Sequence, residues 1–335
     1  MTFRTIEPGQ PVRIAFLGCG GVTRRHSKTL GRFPDVRRYY ASRLAEKAEM
    51  FCRDLKGSGW FGSYQAAIDS PEVDVVFIAT PPDSHLELSL QAIAAGKHVI
   101  VEKPPFFRAS DFDRIDAERR KTGVQVMVAE NYFYKPLLRT LRDILRADAI
   151  GDIRFMVFNA TKTQKTGDWR DEVRTAGGGA LFEGGIHWVN FLSNLGLQVR
   201  SVSGFQPGKP ESQALERSFQ MVFSYEEGPV ATLLYSWEID TLFKGLRLSR
   251  IYGTAGSITL ESNGVFMFVR GKKWRFLLLP GLSDIVGSKA MFSDFFQALR
   301  SGQEPAFNLA LAKRDLELIE KAYSDARAGH HDKEN

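Results

Sequence analysis

Four short apolar runs, VRIAFLG, VDVVFIAT, HVIVEK and VQVMVAE, alternate with segments of helical spacing between residues 12 and 130, and nothing else in the chain restricts its fold so far. Each run is rich in Val and Ile at consecutive positions, so both faces of the strand must be covered. LAEKAEMFCRDL, HLELSLQAIAAG and FDRIDAERRKTG supply the covers, and the last two close on a glycine, as a helix C-cap does. Strand, helix and strand repeated in this order predict a parallel, doubly wound sheet.

Past about residue 150 the pattern becomes one-sided. SFQMVFSY (218–225) sets Phe219, Met221, Phe223 and Tyr225 on one side, and EEGP turns the chain into VATLLYSW. That is an antiparallel hairpin with one buried face. DIRFMVFNA, GLRLSRIYG, GSITLESNG and VFMFVRG add strands, so a large open, mostly antiparallel sheet is expected, with helices near 285–300 and 308–328. The small Gly/Ser cluster GSGWFGS at 57–63 reads as a loop. At roughly 100 to 200 residues per domain, the chain divides into an α/β Rossmann domain at 1–130 and an α+β domain at 131–335.

With 43% hydrophobic and 25% charged residues the chain can bury an ordinary core, which excludes disorder. Lys and Arg number 45 against 39 Asp and Glu, but the excess of +6 is scattered. This implies mild attraction to anionic ligands and no nucleic-acid surface. MTFRTIEPGQPVR lacks the apolar core of a signal peptide, and no run approaches the roughly 20 residues that span a bilayer. Cys19 and Cys52 make no disulfide framework. The expected address is the cytoplasm, with neither membrane nor nucleic acid as partner.

VRIAFLGCGGVTRRH places the loop Gly18, Cys19, Gly20, Gly21 and Val22 between the first strand and the first helix. Glycines there let a pyrophosphate approach the helix N-terminus, whose N–H groups and dipole favour anions. Thr23 stands where the fingerprint has its third glycine, so the match is incomplete. About 20 residues on, an acid holds the ribose of NAD in such folds. Here RRYYASRLAEK offers Ser42 and Arg43, with Lys47 one turn further. A hydroxyl and a guanidinium can hold a 2′-phosphate that an acid would repel, so NADP(H) is expected over NAD(H). The competing reading makes Arg43 a solvated residue at a helix start.

GCGGVTRRH, ATPPDSHLELSLQAIAAGKHVIVEKPP, GGGALFEGGIHWVNFL, IYGTAGSITL and DFFQALRSGQEP together resemble the glucose-fructose oxidoreductase, inositol dehydrogenase and rhizopine catabolism family, Gfo/Idh/MocA, over nearly the whole chain. The resemblance implies NAD(H) or NADP(H) in the N-terminal domain and oxidation or reduction of a secondary alcohol or ketone, most often on a carbohydrate or cyclitol. It also implies a homodimer or homotetramer, for which the exposed face of the open sheet is a plausible surface.

Carried over residue by residue, the resemblance makes Glu102, Lys103 and Pro104 the family's Glu-Lys-Pro, with Lys103 as general acid or base at the reacting oxygen. Thr80, Pro81 and His85 match its cofactor-lining turn, and Asn131 a position near the nicotinamide. Glu183 and His187 match its Asp and His, directed at the substrate hydroxyl; here the acid is one methylene longer. Their i, i+4 spacing predicts one shared helix face; a salt-bridged pair and two metal ligands are the alternatives. No third metal ligand is evident, so no metal is expected. Lys162, Trp169 and Arg170 fall where substrate contacts vary. Glycoside hydrolysis by transient oxidation, and a non-catalytic dinucleotide sensor, share the fold and remain alternatives.

Overall fold

The computed structural model describes residues 2–208, 215–240, 245–278 and 283–331. In the first half, β1 (Val12–Leu17), α1 (Gly21–Leu30), β2 (Val36–Ala41), α2 (Ala45–Asp54), β3 (Gly59–Phe61), α3 (Tyr64–Asp69), β4 (Val75–Ile78), α4 (His85–Ala94), β5 (His98–Val101), α5 (Asp111–Thr122) and β6 (Val126–Val128) follow one another. The six strands are all parallel, in the order β3-β2-β1-β4-β5-β6. Ile14, Phe16, Val76, Phe77 and Ile100 are fully buried, as strands covered on both faces require. Gly123 ends α5 in the left-handed conformation (φ 73°), as its place after the last helical residue predicts.

The strand order reverses between β1 and β4, and in such sheets ligands bind at the carboxyl ends of the strands at that point. The Gly/Ser cluster contains a strand that the sequence reading takes for a loop. Gly59, Trp60 and Phe61 pair with Tyr39, Tyr40 and Ala41 of β2. An edge strand this short carries too little periodicity to be read directly.

The second half runs through α6 (Pro136–Arg146), β7 (Ile153–Thr161), α7 (Val173–Ala176), α8 (Ile186–Ser193), β8 (Val199–Phe205), β9 (Ser218–Tyr225), β10 (Val230–Ser236), β11 (Leu248–Gly253), β12 (Gly256–Glu261), β13 (Phe266–Arg270) and β14 (Arg275–Leu278), then α9 (Ser288–Ser301) and α10 (Leu309–His331). Its eight strands have the order β14-β13-β12-β11-β7-β10-β9-β8. Every pair is antiparallel except β7 with β10. Phe219, Met221, Phe223 and Tyr225 are buried along β9, as its alternation predicts.

Two compact units result, residues 1–130 with 288–313, and 131–287 with 314–335. Ser288–Lys313 lies within the first unit, although it follows the second in the chain. The cause is the aromatic face of α9. Phe292 packs against His26 and Phe77, with ring centroids 5.5 and 6.2 Å apart, and Phe296 against Phe33 at 5.1 Å. Among the described residues no helix is long and apolar enough to cross a membrane.

Candidate active site

At the carboxyl edge of the parallel sheet, three loops are tied together by backbone bonds. Gly18 N–H donates to Ala41 O at 3.0 Å, Ala79 N–H to Leu17 O at 2.9 Å, and Glu102 N–H to Ile78 O at 3.0 Å. These bonds bring the ends of β1, β2, β4 and β5 to one rim. Gly18 has φ +105°, and a Cβ on it would stand 2.7 Å from Ala79 O, so no other residue fits. Thr23 fills the third-glycine position without strain, because its hydroxyl donates to Gly18 O at 2.6 Å and closes the loop from inside.

A Cβ on Gly20 or Gly21 would meet nothing within 4 Å. α1 begins there with no side-chain cap and no acid in its first turn. The uncapped helix start, with open space around its two glycines, is a cradle that fits a pyrophosphate. Val22 is half-buried beside it.

At the end of β2, Ser42 is buried and its Oγ accepts from Leu44 N–H at 3.2 Å. Arg43 and Lys47 are exposed. Burial pushes the Tyr64 hydroxyl up, while the charge and hydrogen bond of Arg43 oppose it, so the guanidinium lies at the start of α3. No acid follows β2 before Glu46. The Cys19 thiol, 3.7 Å from Ala41 O, is pushed up to about 11, mainly by burial.

After β4, Thr80 Oγ1 lies 2.7 Å from Ser84 Oγ, and Ser84 Oγ donates to Pro81 O at 2.9 Å. His85 is buried between two carbonyls, with Nε2 2.9 Å from Thr80 O and Nδ1 3.0 Å from Pro104 O. Burial pushes its pKa down more than those carbonyls raise it. With a carbonyl at each ring nitrogen, His85 links the turn after β4 to the segment after β5.

β5 delivers Glu102 and Lys103 to the same rim, followed by a cis Lys103–Pro104 peptide. Glu102 is buried; Lys103 is partly exposed. Glu102 Oε2 accepts from the Lys103 amide at 2.9 Å, and Oε1 lies 2.5 Å from His26 Nε2. Burial is the strongest influence on Glu102 and pushes its carboxyl up, yet His26, Lys103 and the Lys103 amide together outweigh it and hold the group at about 2. His26 is a residue the sequence reading misses, although it closes the quoted GCGGVTRRH.

A folded value near 2 against an ordinary 4.5 makes the contribution of Glu102 to stability fully present above pH 4.5 and lost as pH falls through about 2. The wild-type advantage over Glu102→Gln in urea unfolding is expected to be at most about 3 kcal/mol near neutrality and to shrink between those limits. An advantage constant across that range overturns the assignment.

The second unit holds Glu183 and His187. Their helix differs from the expected one: Leu181–Gly185 form a π-helical turn that runs into α8. The wider turn rotates Glu183 away from the strict i, i+4 face that an α-helix would give it with His187. Glycines make the turn possible. A Cβ on Gly184 would collide with the Tyr235 hydroxyl, and one on Gly179 with Glu216. Glu216 anchors the start of the turn, with Oε1 accepting from Leu181 N–H at 3.0 Å and from the Tyr323 hydroxyl at 2.6 Å.

Glu183 is buried, and its Oε1 accepts from Arg170 Nε at 3.3 Å. Arg170 also holds Asp168 and lies over the Trp169 ring, with Cζ 4.5 Å from the centroid. Of the residues read as variable substrate contacts, Arg170 thus meets the acid, with Trp169 stacked on its guanidinium. His187 is partly exposed and stacks on Tyr132, with centroids 4.5 Å apart and planes 14° off parallel. Lys135 Nζ lies 4.1 Å from the centroid of the same ring. Lys162 is held by its backbone N–H to Ser236 O at 2.9 Å. Asn131 opens this unit, and its side-chain amide donates to Val286 O at 2.5 Å. Among the described residues, no cluster of three or more His, Cys, Asp and Glu could hold a metal ion.

Residues 12–130 match the sequence pattern described as oxidoreductase family, NAD-binding Rossmann fold, and residues 138–259 that of the GFO/IDH/MocA C-terminal domain. The chain is 31% identical over 237 residues to dTDP-3,4-didehydro-2,6-dideoxy-alpha-D-glucose 3-reductase of Saccharopolyspora spinosa, spanning 68% of this chain and 69% of that protein. It is 27% identical over 240 residues to trans-1,2-dihydrobenzene-1,2-diol dehydrogenase of Xenopus tropicalis, spanning 70% and 71%. In fold it is similar to levoglucosan dehydrogenase in complex with NADH and levoglucosan, with TM-score 0.83 at 20% identity over 95% of this chain and 98% of that one. With both halves matched and the glycine cradle in place, the chain belongs to the GFO/IDH/MocA family of oxidoreductases.

Proposed function

We propose that the protein is an NADP(H)-dependent oxidoreductase acting on a secondary alcohol or ketone of a sugar, cyclitol or related polyol. The observation that carries this reading is the rim of the parallel sheet. It combines an open glycine cradle at the start of α1, Ser42 and Arg43 directly after β2, and Lys103 shortly after β5. The nicotinamide, when bound, supplies or accepts the hydride.

The chain's own residues do the rest. The first N–H groups of α1 hold the pyrophosphate, Ser42 and Arg43 the 2′-phosphate, and Thr80, Pro81 and His85 shape the wall beside the cofactor. Lys103 gives the reacting oxygen a proton in reduction or takes it in oxidation. His187 and Glu183 hold the substrate hydroxyl, His187 oriented by the Tyr132 ring and Glu183 by Arg170. A phosphorylated cofactor, which cells keep largely reduced, favours ketone reduction. The names of the relatives, a keto-sugar reductase and a diol dehydrogenase, support this substrate class.

Paired fluorescence titrations with NADPH and NADH test the cofactor. Arg43→Ala is expected to weaken NADPH about 10- to 100-fold, since hydrogen bonds to a charged group are worth about 1.5 to 3 kcal/mol each. NADH should barely change. Equal weakening of both removes Arg43 from the phosphate site, and a wild-type preference for NADH overturns the cofactor assignment.

The exposed face of the eight-stranded sheet supports a homodimer or homotetramer. Phe268 and Phe276 lie exposed with centroids 4.5 Å apart, and Phe155 pairs across the ladder with exposed Tyr252. An apolar surface of this kind is covered when copies associate, and light scattering measures the subunit number. The cysteines described as free, Cys19 and Cys52, suit a reducing cytoplasm.

A further inference from the structure

At the opposite end of the parallel sheet from the glycine cradle, a cavity of about 570 Å³ lies where β1, β4 and β5 begin, lined there by Arg13, Asp74 and His98. That volume is within the range of about 300 to 1,000 Å³ usual for small-molecule sites. The N-terminal segment forms one wall, and it is strapped down: Phe3 N–H donates to Gly302 O at 2.9 Å, Arg4 N–H to Gly123 O at 2.7 Å, and Ile6 N–H to Leu299 O at 2.9 Å. Arg300 donates to the carbonyls of Ile6, Glu7 and Gln10 from behind.

The charged groups lining the cavity are Arg4, Glu7, Arg13, Asp74 and Lys97. Asp74 is spent on Arg13, with Oδ1 accepting from Nη2 at 2.6 Å and Oδ2 from Nε at 2.9 Å and the Arg13 amide at 3.0 Å. Glu7 is exposed. Arg4 Nη1 donates to Gly96 O at 3.1 Å, and Lys97 Nζ to Ser70 O at 2.6 Å and Val73 O at 2.8 Å. Both cations are thus bonded to carbonyls and, among the described residues, to no carboxylate. Burial is the largest influence on the Lys97 ammonium and lowers it; Asp74 and Asp69 oppose, while Arg13 and Arg4 add to the lowering. The cations are close enough to repel one another.

His98 gives the sign of the partner they lack. It is 5% exposed, and its Nδ1 accepts from Gln125 N–H at 3.0 Å, which puts the hydrogen of the neutral ring on Nε2. Burial, and then the charge of Arg4, hold its pKa down at about 4 against Asp74, so the ring is neutral near pH 7. Nε2 has no partner among the described residues, yet it is not among the polar atoms sealed from solvent without one, so it opens on the cavity that its residue lines. A donor in that place needs an acceptor. One anion satisfies it and both cations together.

We propose that this cavity is an anion site for the phosphoryl group of free phosphate or of a small phosphate ester, held by Arg4, Lys97 and the Nε2–H of His98. Guanidinium and ammonium groups are the usual phosphate donors. The glycine cradle lies at the carboxyl ends of the same strands, so the two sites do not overlap.

The test is a calorimetric titration of the full-length protein with inorganic phosphate and with glucose 6-phosphate, the cradle being filled by saturating NADPH. Saturable binding is expected. Tighter binding of the ester makes an ester the occupant, and equal affinity makes it free phosphate. Arg4→Gln removes the guanidinium and is expected to weaken the tighter of the two about tenfold or more, as loss of a charge-assisted bond does. His98→Asn leaves an oxygen in place of Nδ1 for the Gln125 N–H and removes the Nε2–H, so affinity should fall at least about threefold in a protein that still melts cooperatively. NADPH affinity should stay within about threefold in both variants. Absence of saturable binding to the wild type overturns the proposal, as does wild-type affinity for the anion in Arg4→Gln. Should His98→Asn fail to fold, Lys97→Gln takes its place with the same loss expected. If NADPH itself does not bind, the oxidoreductase reading fails alone: the titration is then run on Gly20→Asp, whose carboxylate closes the cradle to phosphates, and decides as before.

Discussion

Lys103→Met is expected to keep NADPH affinity within about threefold and to lose turnover by about two to four orders of magnitude, the usual worth of a positioned acid or base. Lys103 follows β5 on the rim that carries the glycine cradle, and its backbone is held from both sides: its amide is bonded to Glu102, and the carbonyl of the next residue faces His85. Methionine keeps the length and apolar stem of lysine and removes only the ammonium. The main chain therefore stays in place, and the loss falls on kcat with KM little changed. Stopped-flow oxidation of NADPH across a panel of keto-sugars reads both constants. A kcat near wild type in this variant removes Lys103 from the mechanism, and with it the reading of the Glu-Lys-Pro segment.

Gly20→Asp is expected to weaken NADPH and NADH alike by about a hundredfold or more, because a carboxylate set against a pyrophosphate costs several kcal/mol. Gly20 has φ −119°, which any residue adopts, and a Cβ there meets nothing within 4 Å. As the N-cap of α1, an aspartate would also satisfy N–H groups that are uncapped, so the melting temperature should hold or rise. This combination, lost binding in a protein at least as stable, separates the anion site from the fold. Calorimetric titration and a thermal melt measure the two parts. Unchanged affinity for both cofactors would place their phosphates somewhere other than the start of α1.

The parallel sheet was legible because its strands are buried on both faces, and burial of that kind writes continuous apolar runs into the chain. β9 was legible for the opposite reason, since one buried face writes alternation. β3 was not, because three residues on an edge carry no period. The helix bearing Glu183 and His187 was read as regular from i, i+4 spacing. It begins instead as a π turn at Leu181–Gly185, where Gly184 lies so close to the Tyr235 hydroxyl that no side chain fits, and a contact made between distant segments leaves no local trace.

The same division holds for the site. The glycine loop, the missing acid after β2 and the Glu-Lys-Pro segment are local statements, and the sequence by itself determined that this is a dinucleotide fold with a lysine at a strand end. Tertiary structure alone decided that Thr23 closes the loop through Gly18, that Arg170 meets Glu183, and that Tyr132 stacks on His187. It also decided that α9 returns to the first unit and that His26 reaches Glu102. Backbone periodicity depends on neighbours a few residues away, whereas these side-chain pairings are selected by burial, which brings polar groups from separate elements together and requires each to find a partner there.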